Sequence, residues 1–336
     1  MFDLLLLFVP FFALVLMGWG AARARFLPLE GIGAMNTFVL FFGLPAMLFR
    51  LGASGAFHQD GLLALLVCYA LAGAVVLGLA LAWASRQGLN RRDGALAALA
   101  TVFPNTGFLG LPLLTGLLGA QAAGPLAATL VVDVLLLSSV CLAWAHARSS
   151  VQADDSAGRA AWVSLKGALR NPLLWAMALG MWMGEYGGPL PGALDHTLTL
   201  LAQSATPTAL FTLGAILARG QMQPSRQPQP HMPSIAPVGR ALWQPALLKL
   251  VLHPALVWSA GWGLRQWGLP VPAEGLITLT LAAALPSASN VTMLAEREGA
   301  DAALVARIIL WTTAAAWLTL AGWALGLGVQ GAPVTT

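Results

Sequence analysis

Charged residues are scarce in this sequence, at 9% of its 336 positions, whereas 58% of the residues are hydrophobic. Apolar runs long enough to cross a membrane recur from the first residues to the last, so the sequence predicts an all-α polytopic membrane protein without a soluble domain. Spans of roughly 20 residues, separated at polar breaks, number ten. They cover residues 3–22, 34–53, 61–84, 94–118, 124–146, 169–187, 194–218, 242–264, 275–296 and 301–327.

Cysteine and the familiar catalytic motifs are also rare or missing. Cys68 and Cys141 are the only cysteines, and both lie within apolar runs. Two isolated thiols supply neither a disulfide framework nor a zinc site, so we expect packing residues and no metal or cofactor. The sequence lacks HExxH, G-x-S-x-G and paired intramembrane aspartates. We therefore assign no catalytic residue and predict that the protein is not an enzyme.

Basic residues are unevenly distributed among the loops. The odd-numbered connections contain thirteen of the 17 Lys and Arg residues, whereas the even-numbered connections and the termini contain only Arg50 and Arg265. Because cytoplasmic loops are enriched in basic residues, we expect a multi-pass protein of the cell inner membrane with both termini on the non-cytoplasmic side. The formal charge of +4 then reflects this sidedness and anionic lipid headgroups, and nucleic acid is not an expected partner.

Proline interrupts two of the predicted spans. Pro104 lies in span four, within TVFPNTGFLGLP (101–112), and Pro286 lies in span nine. Proline removes a backbone donor and clashes with the carbonyl four residues earlier, so we expect the carbonyls of Ala100 and Ala282 to be released. Such breaks are tolerated in a membrane only where they face protein or a watery cavity.

The two halves of the chain resemble each other. Aligning Pro45 with Pro207 sets GLPAMLFRLGA (43–53) over ATPTALFTLGA (205–215), and we count these two prolines with Pro104 and Pro286 as helix-breaking. The same order of features in both halves favours an internal duplication over a chance match of Leu/Ala/Gly-rich segments. Five spans per half is an odd number, so the repeats should be inverted and broken helices four and nine should cross.

The duplication also predicts the domain boundaries. The first five-helix repeat covers residues 1–146, and a short cytoplasmic linker covers 147–168. The second repeat covers 169–327 and includes a Pro-rich cytoplasmic loop at 219–241.

The crossing breaks form the predicted binding site. Freed carbonyls attract cations, while half-helix N-termini present unpaired N–H groups and a partial positive charge. Short uncharged side chains beside them can donate hydrogen bonds to a carboxylate, and this binding is weak enough for the ligand to be released. The predicted site therefore selects small organic anions. A proline kink relieved by a neighbouring helix is the alternative for either segment alone. The predicted substrate-binding residues are Asn105, Thr106, Gly107, Ser287, Ser289 and Asn290.

Asp133, Lys249, His253 and Arg307 lie well inside predicted spans, where charge is costly. Asp133 either transfers a coupling proton or fixes the broken helix through hydrogen bonds. His253 either titrates near neutrality or is satisfied by a neighbouring carbonyl. Lys249 and Arg307 either snorkel to the cytoplasmic face or balance a substrate carboxylate.

Three segments resemble the signature segments of the auxin efflux carrier family: NTGFLGLPLL (105–114), GLPAMLF (43–49) and LPSASNVTMLAEREGAD (285–301). This family includes the plant PIN-formed auxin exporters and bacterial relatives labelled malonate or other carboxylate transporters. The resemblance implies a scaffold of spans one, two, six and seven, a mobile transport domain of the other six spans, and a homodimer. It also implies that Asn105 and Asn290 are the crossover asparagines. The link between the halves is shorter than the long hydrophilic loop of the plant proteins.

Together these observations predict a secondary carrier of small organic anions, such as malonate or auxin-like carboxylates. The carrier is surrounded by membrane lipids and works by alternating access. Uniport, proton coupling and sodium coupling remain open, as does the direction of transport. A proton- or sodium-coupled cation antiporter or symporter of a related inverted-repeat fold is the alternative, although it should place adjacent acidic residues at the crossing. A channel is a third possibility, which counterflow would exclude.

Overall fold

The computed structural model describes residues 2–55, 61–146, 172–222 and 242–329. Within these ranges the regular structure is helical, and the β-structure is limited to one isolated bridge between Pro104 and Ser287. The predicted linker 147–168 and most of the loop 219–241 lie outside the described residues. The helices are α1 (Phe2–Arg23), α2 (Gly31–Ala53), α3 (Leu62–Arg86), α4 (Arg91–Val102), α5 (Thr106–Leu118), α6 (Ala123–Ala145), α7 (Pro172–Tyr186), α8 (Gly192–Met222), α9 (Trp243–Gln266), α10 (Ala273–Ala283), α11 (Asn290–Arg297) and α12 (Ala302–Gly326).

Six of these helices are long and apolar enough to cross a membrane, namely α2, α3, α6, α8, α9 and α12. Two predicted spans are divided instead. Span four consists of α4 and α5, which are separated at Pro104, and span nine consists of α10 and α11, which are separated at Pro286. The all-helical, membrane-spanning class predicted from composition is therefore confirmed.

The prediction that Pro45 and Pro207 also break their helices is wrong. Pro45 follows a π-helical turn, Val39–Gly43, and α2 continues through it. Pro207 lies inside the uninterrupted helix α8. A wider turn gives the proline ring room against the preceding carbonyl, and a single lost hydrogen bond kinks a helix more often than it ends one.

Helices α1 and α8 pack closely, and so do α2 and α7. A Cβ atom added to Gly18 of α1 would overlap the Phe211 carbonyl of α8, and one added to Gly180 of α7 would overlap the Phe49 carbonyl of α2. Gly18 and Gly180 are 162 residues apart, as are Phe49 and Phe211. The two contacts therefore join residues that share the 162-residue offset of Pro45 and Pro207.

The partner helices of the same two interfaces also approach through glycine residues. A side chain at Gly214 would overlap the Val15 carbonyl, and one at Gly52 would lie 2.6 Å from the Met177 carbonyl oxygen. Gly52 and Gly214 again differ by 162 positions, as do Val15 and Met177. Glycine at these positions lets the helix backbones approach, as small residues do where membrane helices associate.

The remaining helices, α3–α6 and α9–α12, pack around the two breaks. Helix α3 contacts α4, α6 and α9, while α12 contacts α4, α9 and α11. Their apolar side chains form one large core cluster that includes Leu96, Leu99, Leu126 and Leu279. The two interruptions of the backbone are thus enclosed by protein on most sides.

Candidate functional site at the crossing of two broken helices

The two proline breaks meet through their backbones. The Asn105 N–H donates to the Pro286 carbonyl at 2.8 Å, and the Ala288 N–H donates to the Phe103 carbonyl at 3.0 Å. These bonds form a short antiparallel bridge between extended residues. Because hydrocarbon offers no hydrogen-bond partners, each break here satisfies part of the backbone of the other. Pro104 and Pro286 therefore lie where α4/α5 and α10/α11 cross.

The carbonyl expected to be released before Pro286 is bonded instead. The Ala282 carbonyl accepts from the Leu285 N–H at 3.2 Å, so it is not free. The last residues of the two half-helices, Val102 and Ala283, present their carbonyls to a side chain instead. The reason is that the chain turns sharply before Pro286, which shifts the free helix end by one residue.

Buried polar side chains without a partner surround the crossing. Asn105 is 1% exposed, and neither its amide oxygen nor its amide nitrogen has a hydrogen-bond partner among the described residues. The same holds for the Ser287 hydroxyl and the Asn290 amide oxygen. Buried polar groups are normally paired, since an unpaired one costs about 1–3 kcal/mol. Such groups at the meeting point of two breaks are suited to bind a polar ligand.

Thr106 and Ser289, also predicted as binding residues, are buried at the same crossing. Gly107 is half-buried and faces Leu44 of α2, with 3.9 Å between Leu44 and a Cβ built on the glycine. The structure therefore places all six predicted binding residues on the two breaks or on the first turns after them.

Two threonines that the sequence did not single out hold the breaks in place. The hydroxyls of Thr129 in α6 and Thr106 lie 3.4 Å apart. The Ser287 N–H donates to the Thr312 hydroxyl of α12 at 3.2 Å. Each break thus contacts the long helix that follows it in the chain, α6 or α12. Threonine is common in apolar helices, so nothing in the sequence distinguished these two residues.

An apolar contact joins the crossing to the neighbouring helices. Phe108, in the π-helical first turn of α5, packs with Val39 and Leu44 of α2 and with Ala209 of α8. The first break therefore faces the closely packed group of α1, α2, α7 and α8. A ligand at the crossing would lie near the boundary between two groups of helices.

Lys249 is fully buried, so the expectation that it snorkels to the surface is wrong. Its Nζ atom lies 2.9 Å from the Ala283 carbonyl oxygen, 3.3 Å from the Val102 carbonyl oxygen and 3.3 Å from His253 Nδ1. These three acceptors match the three protons of an ammonium group. Lys249 therefore binds the ends of α4 and α10, and it has no proton left to bind a substrate carboxylate.

His253 has a different partner from the expected carbonyl. Because Lys249 can only donate, His253 Nδ1 accepts and its proton is assigned to Nε2, which has no partner among the described residues. The ring also lies against Tyr69, with 5.5 Å between the ring centroids.

Asp133 is fully buried in a π-helical turn of α6. It accepts a hydrogen bond from the Tyr69 hydroxyl, with 3.0 Å to Oδ1, and it attracts the Lys249 charge electrostatically. Asp133 thus acts on the broken helices through Lys249 rather than by direct bonds. Tyr69 was missed in the sequence because a single tyrosine in an apolar helix has no distinguishing pattern.

Arg307 forms no hydrogen bond with this cluster within the described residues. It is half-buried on α12, and its Nε atom has no partner within the described part of the chain. It lies five residues before Thr312, which is about 7.5 Å along a helix axis.

A crossing of two broken helices, enclosed by apolar helices and lined with uncharged polar groups, defines a class: membrane transport proteins. Comparison with known proteins supports the same class. Residues 4–324 match the family described as "Membrane transport protein", and the chain belongs to this family, the auxin efflux carrier family that the motifs resemble. The resemblance noted in the sequence is therefore confirmed, and the family indicates a transporter rather than an enzyme.

Individual relatives are similar over nearly their full length. A Rhizobium meliloti protein named "Putative malonate transporter" is 29% identical, with 94% of this chain and 93% of the relative covered. An uncharacterized transporter of Methanothermobacter thermautotrophicus is 25% identical, with 94% and 95% covered. The uncharacterized transporter YfdV of Escherichia coli is 24% identical, with 86% of each chain covered.

Proposed function

We propose that the protein is a secondary carrier that moves a small organic anion across the bacterial inner membrane. The observation that supports this most directly is the two unpaired donors at the crossing, the Asn105 amide nitrogen and the Ser287 hydroxyl. Uncharged donors beside half-helix N-termini bind a carboxylate without a permanent ion pair. Such binding is strong enough for recognition and weak enough for release.

A dicarboxylate of the size of malonate is the favoured substrate. Each of the two breaks is followed by a helix whose N-terminus starts near the crossing, α5 at Thr106 and α11 at Asn290. Two N-termini offer one partial positive charge for each carboxylate. The name of the Rhizobium meliloti relative points to the same substrate.

The proposed mechanism is alternating access by a mobile group of helices. In our proposal ten spans form two inverted repeats, α1, α2, α7 and α8 form a scaffold, and the other helices move with the crossing. The glycine contacts that exchange equivalent residues, 162 positions apart, support the repeat. The apolar contact of Phe108 with Leu44 and Ala209 is where the two groups would slide.

Uptake into proteoliposomes tests this function. Radiolabelled malonate, lactate and indole-3-acetate should be offered separately, with and without proton and sodium gradients. We expect saturable malonate uptake that is accelerated by malonate inside the vesicles, since counterflow is a property of carriers. Uptake without saturation or counterflow would indicate a channel instead.

Substitution at the crossing tests the site. Asn105→Ala and Ser287→Ala each remove a hydrogen bond to a charged ligand, which is worth about 1.5–3 kcal/mol, so the KM for malonate should rise about 10- to 100-fold. Ser259→Ala is the matched control because its hydroxyl is exposed and bonds within its own helix, to the Leu256 carbonyl. Unchanged transport in both crossing variants, with folded yield intact, would refute the site.

A further inference from the structure

Lys249 occupies the position between the two broken helices where a cation would be expected to bind. Val102 and Ala283 are the last residues of α4 and α10, and their carbonyls carry the partial negative charge of a helix C-terminus. Half-helix C-termini and unwound carbonyls are the groups that coordinate coupling ions in carriers with broken helices. Here the Lys249 ammonium lies at hydrogen-bond distance from both carbonyls.

The surroundings of Lys249 are also those of a cation site. The Asp133 carboxyl group is buried and, in its ionised form, attracts the ammonium, while the Tyr69 hydroxyl donates to its Oδ1 atom. His253 Nδ1 completes the acceptors. Two carbonyls, a ring nitrogen and a nearby carboxylate form a donor set that a monovalent cation could also use.

The backbone around Lys249 is fixed. Lys249 lies in the π-helical turn Leu248–Leu252, just before Pro254. Pro254 cannot donate to the Leu250 carbonyl, and the Trp323 indole N–H of α12 donates to it instead at 3.0 Å. The ammonium is thus held at the crossing by contacts from several helices.

We propose that Lys249 is a tethered cation that permanently occupies the ion position of the crossing, so that anion transport by this chain requires no sodium ion. The part of this inference that concerns transport rests on the proposed function. Its structural part does not, because it predicts that removing the lysine side chain creates a site for a free monovalent cation.

The experiment compares Lys249→Ala with Lys249→Met in detergent. Alanine removes the charge and opens space, whereas methionine removes the charge but keeps most of the volume. Unfolding temperatures are measured in sodium, methylammonium or choline chloride at equal ionic strength. We expect a saturable rise of about 5 °C for Lys249→Ala with sodium or methylammonium. The wild type and Lys249→Met should respond to none of the three salts.

Transport provides the second measurement. Malonate uptake by Lys249→Ala should fall at least about tenfold in choline and recover in sodium or methylammonium, because only a charged, bonded cation restores the helix ends. Wild-type uptake should be independent of a sodium gradient. A thermal response of Lys249→Ala together with no malonate uptake by the wild type would refute the proposed substrate but support the cation site.

Three results would overturn the inference. One is wild-type uptake that a sodium gradient accelerates. The second is full malonate uptake by Lys249→Ala in choline chloride. The third is an unfolding temperature of Lys249→Ala that choline raises as much as sodium does. If Lys249→Ala does not fold, the double variant Asp133→Asn/Lys249→Ala removes the unbalanced charge as well. That variant should fold and should be stabilised more by sodium than by choline, and equal unfolding temperatures in the two salts would overturn the inference.

Discussion

Tyr69 shows how much depends on a single hydroxyl. It is fully buried, it donates to Asp133, and Asp133 in turn balances Lys249 at the ends of both half-helices. A buried charge that loses its hydrogen bond is expensive because no water replaces the donor. The geometry of the crossing therefore depends on a residue that does not touch it directly.

Replacing Tyr69 by Phe should therefore destabilise the protein by about 2 kcal/mol, the value of a hydrogen bond to a charged group. For a chain of this size we expect the unfolding temperature in detergent to fall by roughly 5 °C. Tyr186→Phe is the matched control, since Tyr186 is the other tyrosine of the chain and is 77% exposed. Equal unfolding temperatures for the two variants would show that the Tyr69 hydroxyl contributes nothing to stability.

At the scale of helices, the same packing device appears twice. Helices α1 and α8 approach at Gly18 and Gly214, and α7 and α2 approach at Gly180 and Gly52. A helix pair that touches through its backbones tolerates no added atom, because close-packed interiors cannot relax without cost. These two interfaces should consequently respond alike to substitution.

We predict that Gly18→Ala and Gly180→Ala each lower stability by about 1–3 kcal/mol through overpacking. Gly20→Ala is the control, because a Cβ built there meets nothing within 4 Å. Thermal unfolding of the purified variants in detergent measures the effect. A loss for one of the two interface variants but not for the other would contradict the equivalence of the interfaces.

At the scale of the whole molecule, orientation in the membrane follows from the distribution of basic residues. Arg86 is the last residue of α3 and should face the cytoplasm, while the loop after α7 contains Gly188 and should face the outside. Both positions are exposed, and the native Cys68 and Cys141 are fully buried. The native chain should thus react little with thiol reagents.

Labelling of intact cells with a membrane-impermeant maleimide tests this orientation. We expect Gly188→Cys to react from outside, and Arg86→Cys to react only after the cells are permeabilised. Native protein without an added cysteine provides the background. The reverse pattern would invert the predicted topology and place both termini in the cytoplasm.

The sequence alone determined the class of the protein and the position of the candidate site. Low charge and repeated apolar runs predict a protein that lies in a membrane. A proline cannot continue a helix without loss of a hydrogen bond, which identified the breaks at Pro104 and Pro286 but wrongly predicted breaks at Pro45 and Pro207. Asn105 and Ser287 follow directly from Pro104 and Pro286, and local chemistry was enough to find them.

Only the tertiary structure decided which other groups reach the crossing. Tyr69, Thr129, Lys249 and Thr312 come from four different helices, and their contacts depend on how those helices pack. Sequence reasoning therefore could not tell a snorkelling lysine from one bound to two helix ends. A buried side chain bonds the groups that lie near it in three dimensions. The sequence alone does not give the distances between side chains of different helices.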